Sequence, residues 1–293
     1  MESLKDYFSQ QKLYINDKLI QYVYEYTDPG RLQDAMLYSI EAGGKRLRPI
    51  LLMSTAEAFG AEEKRTLAAA CALEMIHTYS LIHDDLPSMD NDDLRRGKPT
   101  SHIMFDEATA TLAGDALLTL SFQVISEDPN LEDGEKVYLL RELASASGAR
   151  GMVAGQMHDM QSEDRHIPLH ELETIHKNKT GKLIRFAILA GAYLGQASEE
   201  SMDQMKVMGD ALGLIFQIQD DILDVTGDAD VLGKPTGSDE NNLKSTYPKL
   251  LGLDGAIQQK ANYVDSAQNA LRSAGVDGTL LSELIHYLSS RDR

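Results

Sequence analysis

Apolar positions recur every three to four residues along most of the chain, the period of a helix that buries one face. In the first stretch Leu4, Phe8, Ile15, Leu19, Val23 and Tyr26 fall on one stripe. The same spacing predicts helices near 32–42, 49–59, 63–86, 104–126, 135–160, 169–195, 199–226, 255–273 and 278–289. Two-residue alternation is nowhere sustained over a strand length, so no strand is predicted. Residues 66–76 and 183–194 are apolar on more than one side, which places those helices in the middle of a bundle. The prolines leave 50–86, 100–128, 169–234 and 249–293 uninterrupted. Pro129, Pro168 and Pro248 mark loops, as does Gly233-Lys234-Pro235. No Ser/Gly linker or shift in composition divides the chain. The pattern predicts one all-α domain over residues 1–293.

Composition narrows the function classes. Lys and Arg number 28 against 46 Asp and Glu, a net charge of −18. A basic nucleic-acid groove or an anionic-lipid patch does not suit that surplus, whereas a cationic partner such as a metal ion does. The single cysteine, Cys71, lies in the run Ala68-Ala69-Ala70-Cys71-Ala72-Leu73. It reads as a small buried hydrophobe and fits a reducing compartment. Met1 to Asp6 show no basic segment leading into an apolar one. The most apolar stretches are interrupted by Glu, His or Gln before the length of a membrane span. A cytoplasmic globular protein without a membrane span is expected.

Two acidic clusters carry the chemistry. The first runs Asp84-Asp85-Leu86-Pro87-Ser88-Met89-Asp90 and continues through Asp92 and Asp93 to Arg95-Arg96-Gly97-Lys98; the second is Asp220-Asp221-Ile222-Leu223-Asp224. Asp220 and Asp224 are four apart and share a helix face, where like charges repel. Asp84 and Asp90 are six apart, but Pro87 interrupts the helix and lets Asp90 swing back. His77, seven before Asp84, shares its stripe. Hard divalent cations take oxygen ligands, and Mg²⁺ combines one or two carboxylates with waters and substrate phosphate oxygens. Arg95, Arg96 and Lys98 follow the first cluster, Lys234 and Lys244 the second, and Gly43-Gly44-Lys45-Arg46-Leu47-Arg48 opens another helix. Metal with Arg and Lys is the combination that binds a diphosphate and neutralises it as a leaving group.

Gly43 to Arg48, Asp84 to Gly97, Lys179-Thr180-Gly181, Phe216-Gln217 to Asp224 and Gly233-Lys234 stand in the order found in the trans-isoprenyl diphosphate synthases, which the chain resembles from about residue 30 onward. The insertion within the first cluster and the Arg95-Arg96-Gly97 after it look like the bacterial farnesyl diphosphate synthases. The resemblance implies an all-helical bundle around a deep central cavity, a homodimer, prenyl diphosphate substrates and three Mg²⁺ ions, with Mn²⁺ able to substitute. Asp84 and Asp90, with Asp85 behind them, would hold two ions; Asp220 would hold the third, supported by Asp221 and Asp224. Arg95, Lys179 and Lys234 would grip the allylic diphosphate. Lys45, Arg48, His77 and Arg96 would hold isopentenyl diphosphate. The implied reaction is head-to-tail (1′-4) condensation. The allylic carbon–oxygen bond ionises, and the Thr180 hydroxyl, Lys179 carbonyl and Gln217 amide oxygen stabilise the cation. The isopentenyl double bond attacks, and a proton leaves to the departing diphosphate. Water has to be kept out, a task in which Arg291-Asp292-Arg293 would assist.

Product length follows cavity depth. Tyr79, five before Asp84 and beside the small Ser80, would form the floor; within the resemblance a bulky aromatic there suits a C15 product, and a smaller residue a C20 or longer one. A helical cyclase, a silent regulatory subunit and a metal-binding protein without catalysis are the other readings. Asp228-Ala-Asp230 to Asp239 nearly fits a calcium loop, but Leu232 has no side-chain oxygen at the fifth position. Gly233-Lys234 lacks the earlier P-loop glycine. No Gly-x-Ser-x-Gly is present. His166 and His170 flank Pro168 in a polar loop and read as surface rather than zinc.

Overall fold

The computed structural model describes residues 4–163, 165–226 and 245–291. They are almost wholly helical. The helices are α1 (Leu4–Tyr26), α2 (Arg31–Glu41), α3 (Leu47–Ala58), α4 (Leu67–Asp84), α5 (Ser101–Met104), α6 (Glu107–Glu127), α7 (Asp133–Ser147), α8 (Met152–Ser162), α9 (Leu169–His176), α10 (Lys182–Leu194), α11 (Glu199–Thr226), α12 (Tyr247–Ser273) and α13 (Thr279–Ser290). A 3₁₀ turn, Glu63–Arg65, precedes α4, and a π turn, Lys177–Gly181, joins α9 to α10. Lys234, Lys244, the calcium-like loop from Asp228 to Asp239, Asp292 and Arg293 lie outside the described residues.

The described residues within Met1–Met53 and Glu63–Leu140 form one compact unit, and those within Ser54–Glu62 and Arg141–Arg293 another. In the first, α4 packs along α6, with α1 and α2 against them. Residues Leu67 to Ile76 of α4 are all buried, as an all-round apolar helix requires. In the second, α11 lies between α10 and α12, and α13 packs on both α11 and α12. Leu183 to Leu194 is likewise buried except at Arg185, Leu189 and Tyr193. Cys71 is fully buried.

Four expectations are corrected. The stretch 135–160 is two helices, because Gly148 to Gly151 interrupts it and α8 starts afresh after Gly151. Pro248 is not in a loop: it stands in the first turn of α12, where a missing N–H removes no helical hydrogen bond. That helix begins eight residues earlier than the apolar period suggests, with a kink at Gly252 (φ 74°). A two-stranded ladder, Leu94–Arg95 with Lys98–Pro99, was not predicted, since strands of two residues have no period to detect. Among the described residues α6 alone is long and apolar enough by length and composition to cross a membrane; Asp115 and Gln123 interrupt it, in line with the expectation. Its stripe Ala110, Ala113, Leu117, Leu120 and Val124 is buried.

Candidate active site

In the first unit the acidic cluster begins where α4 runs out. The Asp85 N–H donates to the Leu81 carbonyl, and the Leu86 N–H reaches only to His83 (3.2 Å), so the last turn tightens before Pro87. The chain then reverses. The Asp90 N–H donates to the Asp84 carbonyl (2.8 Å) and the Asn91 N–H to the Leu86 carbonyl (3.1 Å). Asn91 takes a left-handed conformation (φ 52°), which asparagine tolerates better than most residues. The reversal brings Asp90 back to the end of α4 that carries Asp84, with Asp84 half-buried and Asp90 exposed.

Asp85 points elsewhere. It is 3% exposed and is held by Arg95, whose Nε donates to both carboxylate oxygens (2.7 and 2.8 Å) and whose Nη2 donates to Oδ1 (2.5 Å). Burial pushes the Asp85 carboxyl above its ordinary value, against the pull of Arg95. Asp85 thus takes the Nε–Nη2 edge of the guanidinium. Arg96 and Gly97, both with positive φ (55° and 76°), make the two-residue hairpin turn between the short strands.

That turn lays the Arg96 guanidinium on Gly44. A β-carbon at Gly44 would stand 2.7 Å from Arg96 Nη1, and its φ of 145° is unfavourable for any side chain. The glycine-basic loop and the arginines after the first cluster thus meet. A narrow cleft is lined by Tyr38, Glu74, His77, Asp85, Arg95 and Arg96. Burial, then Arg48, Arg96, Arg46 and Arg95, pushes the His77 imidazole well below its ordinary value. It is therefore a neutral hydrogen-bonding group at pH 7, not a cation. Lys45 is exposed and Arg48 half-buried. Tyr79 is 6% exposed and meets His83 edge-on, with ring centroids 5.6 Å apart. Burial, then the charge of Asp84, pushes its hydroxyl up to about 12. The Ser80 hydroxyl donates to the His77 carbonyl (2.9 Å).

In the second unit Asp220, Asp221 and Asp224 lie in the last turns of α11. Asp221 and Asp224 are buried, whereas the Asp220 side chain is 42% exposed. The Arg291 guanidinium binds Asp220 Oδ1 and lies over the Phe216 ring, 4.2 Å from its centroid. The Arg291 carbonyl accepts from Gln219 Nε2 (2.8 Å), and Gln219 Oε1 in turn accepts from Lys260 Nζ. Gln217, three before Asp220, is half-buried. Lys179 and Thr180 sit in the π turn, a wide turn of the kind often found at functional sites. Lys179 Nζ is paired with Asp159 of α8 (2.7 Å). The turn fits only because its neighbours are small. A β-carbon at Gly155 would lie 2.2 Å from the Lys179 nitrogen, and one at Gly213 would lie 2.6 Å from the Gly181 Cα.

The donor chemistry fits a hard divalent cation. Asp84, Asp90 and Asp220 offer carboxylate oxygen only, and Asp220 already accepts a cation in the form of the Arg291 guanidinium. Among the described residues no three His, Cys, Asp or Glu side chains gather closely enough to hold an ion by themselves. Mg²⁺ does not require that, since it retains waters and takes phosphate oxygens from its substrate.

Sequence reasoning did not find Asp159, Glu74, Gly155 or the partner of Arg291. Asp159 and Lys179 are 20 residues apart and Arg291 and Asp220 are 71 apart. No local pattern signals such pairs; only the glycine inside the helical stretch 152–162 was a visible mark.

A family model described as polyprenyl synthetase matches residues 29–276. A farnesyl diphosphate synthase of Geobacillus stearothermophilus is 49% identical over 292 residues, 99% of this chain and 98% of that protein. One of Bacillus subtilis is 46% identical over 291 residues, 99% and 98% of the two chains. The apo crystal structure of an FPP/GFPP synthase from Zymomonas mobilis has a TM-score of 0.85 at 38% identity, covering 98% of this chain and 99% of that one.

Proposed function

The chain belongs to the polyprenyl synthetase family, and on that premise we propose that it makes farnesyl diphosphate, condensing isopentenyl diphosphate with dimethylallyl and then geranyl diphosphate. The observation that carries the reading is the full-length likeness to farnesyl diphosphate synthases of two bacteria. The family depends on a divalent metal. Here the ion is Mg²⁺, with Mn²⁺ as a substitute, and the number bound is three: Asp84 and Asp90 hold two, Asp220 the third. Once bound it supplies positive charge to the allylic diphosphate. The active form is a homodimer in the cytoplasm, a reading supported by the apolar Ile103, Met104 and Leu112, all more than half exposed, and by the lone buried thiol of Cys71.

The residues divide the work. Arg95, oriented by Asp85, grips the allylic diphosphate with Lys179, which leaves Asp159 to do so; Lys234 joins them. Lys45, Arg48 and Arg96 bind the isopentenyl diphosphate, and neutral His77 donates a hydrogen bond to it. Thr180, the Lys179 carbonyl and Gln217 surround the allylic cation with dipoles and offer it no strong nucleophile. Isopentenyl diphosphate adds to that cation, and the departed diphosphate takes the proton.

Gly44→Ala pushes the Arg96 guanidinium off its seat. The expected result is a KM for isopentenyl diphosphate raised roughly tenfold, the worth of about 1.4 kcal/mol, with the KM for the allylic substrate unchanged. Initial rates with either substrate varied check it.

Product sizing tests the function itself. With Mg²⁺, isopentenyl and dimethylallyl diphosphates, the wild type gives C15, and Tyr79→Ala gives C20 or longer because the floor has been removed. A wild-type C20 product would move the floor elsewhere, and Tyr79→Ala stopping at C15 would reduce Tyr79 to core packing. Absence of any product would favour a regulatory or metal-binding role.

A further inference from the structure

Behind the second aspartate cluster lies a chain of contacts that the reaction scheme leaves unused. Asp221 is 7% exposed, and its Oδ2 accepts the backbone N–H of Tyr247 (2.9 Å), the first residue of α12. His176, the last residue of α9, places its Nε2 3.8 Å from the same oxygen. That nitrogen is buried and has no hydrogen-bond partner. A buried imidazole nitrogen left unmatched is costly, and this one stops just short of a carboxylate that can accept from it.

The ring is not in that place by chance. It stacks on the fully buried Tyr247 ring, with centroids 5.9 Å apart and planes 15° from parallel. Tyr247 is fixed in turn through its hydroxyl, which donates to Glu173 Oε1 (3.4 Å), an oxygen that also accepts from the Tyr263 hydroxyl (2.8 Å). Lys177 holds the other Glu173 oxygen (3.2 Å). The apolar residues around Tyr247, among them Ile175, Ile218 and Ile222, belong to one core cluster. His176 also stands immediately before the π turn that carries Lys179 and Thr180.

We propose that His176 is a positioning residue for the second aspartate cluster: in the loaded site its Nε2–H donates to Asp221 Oδ2, fixing the turn of α11 that presents Asp220 and tying it to the turn that presents Lys179. The donor needs to move by less than an ångström to reach hydrogen-bond distance. Tyr247 sets the plane of the imidazole, and Asp221 acts through its backbone and imidazole partners rather than by reaching for the ligand with both oxygens. The role rests on the reading that Asp220 holds a metal ion against the diphosphate.

Two replacements separate the parts of the side chain. His176→Phe keeps a ring on Tyr247 and has no donor; His176→Gln keeps a donor near Nε2 and has no ring. Binding of inorganic diphosphate with Mg²⁺ is measured by calorimetry on the full chain, beside thermal melting. His176→Phe should bind roughly tenfold more weakly, the effect of losing one hydrogen bond to a charged group, and His176→Gln should recover most of the loss. Should His176→Phe not fold, His176→Leu takes its place under the same criteria. Wild-type affinity in the donor-less variant, or a His176→Gln as weak as it, would overturn the proposal. Asp220→Ala is the control: if it binds diphosphate as the wild type does, the metal reading falls, whereas weak binding there with none lost in His176→Phe refutes the role of His176 alone.

Discussion

Asp84→Ala and Asp220→Ala should each lower turnover by a factor of roughly 10²–10³ or more, the cost of removing one preorganised electrostatic contact to a developing charge, with helix content unchanged. The fold does not depend on either carboxylate in the same way. Asp84 is half-buried at the end of α4, where a negative charge lies unfavourably near the helix C-terminus. Its removal should leave the melting temperature equal or slightly higher. Asp220 is different, because Arg291, whose side chain is 4% exposed, leans on it. Asp220→Ala should therefore melt somewhat lower. If both clusters serve one diphosphate, the double variant loses far less than the product of the single losses, since groups that act together are not additive. Single-turnover rates and circular dichroism check all three proteins. Near-normal turnover in either single variant would remove the assignment.

The second large effect is on stability. Glu74→Ala should destabilise the chain by about 3–5 kcal/mol, the usual cost of leaving one member of a buried ion pair behind. The side chains of Arg46 and Glu74 are 1% and 2% exposed and 2.7 Å apart. Arg46 also donates to Asn16 Oδ1 (2.7 Å) and to the Ile40 carbonyl (2.5 Å), so one guanidinium joins α1, the end of α2 and α4. It does so from a left-handed backbone conformation (φ 51°) that a non-glycine residue adopts at a cost. The exposed pair Arg31–Asp106, with side chains 60% and 48% exposed, should matter little by comparison. Urea unfolding of Glu74→Ala beside Arg31→Ala, which removes the exposed pair and leaves Asp106 to cap α6, checks the contrast. Because Arg46 lies between Lys45 and Arg48, the Glu74 variant that still folds should also bind isopentenyl diphosphate less well.

What the sequence makes legible is what is local and periodic. The stripe of Leu4 to Tyr26 returns as α1, and the two all-round apolar stretches return as the buried helices α4 and α10. Pro87 announces the reversal that brings Asp90 back to Asp84, because a proline acts on its immediate neighbours. The rest is non-local. Of the basic run Lys45 to Arg48, residue type alone cannot say that Arg46 turns inward to Glu74, 28 residues away, while Lys45 stays in solvent. Nor does it reveal that Asp85 is buried with both its oxygens accepting from Arg95. His176 passes for one more helical residue until the fold stacks it on Tyr247, which is 71 positions further along.

The π turn at Lys177–Gly181 has a consequence for how such a chain can vary. A π turn fits one residue more into a turn than a regular helix does at about 100° per residue, and so leaves the phase of the helix beyond it unchanged. The face of α10 that carries Leu183, Ile184, Ala187, Ile188 and Gly191 is buried with the turn in place. A one-residue deletion within 177–181 would close the turn to an ordinary one and keep that face on the core, while moving Lys179 and Thr180 out of the place the wide turn gives them. The packing of α10 and the placement of the residues proposed to act on substrate are thus separable, and a change of length here costs the site before it costs the fold.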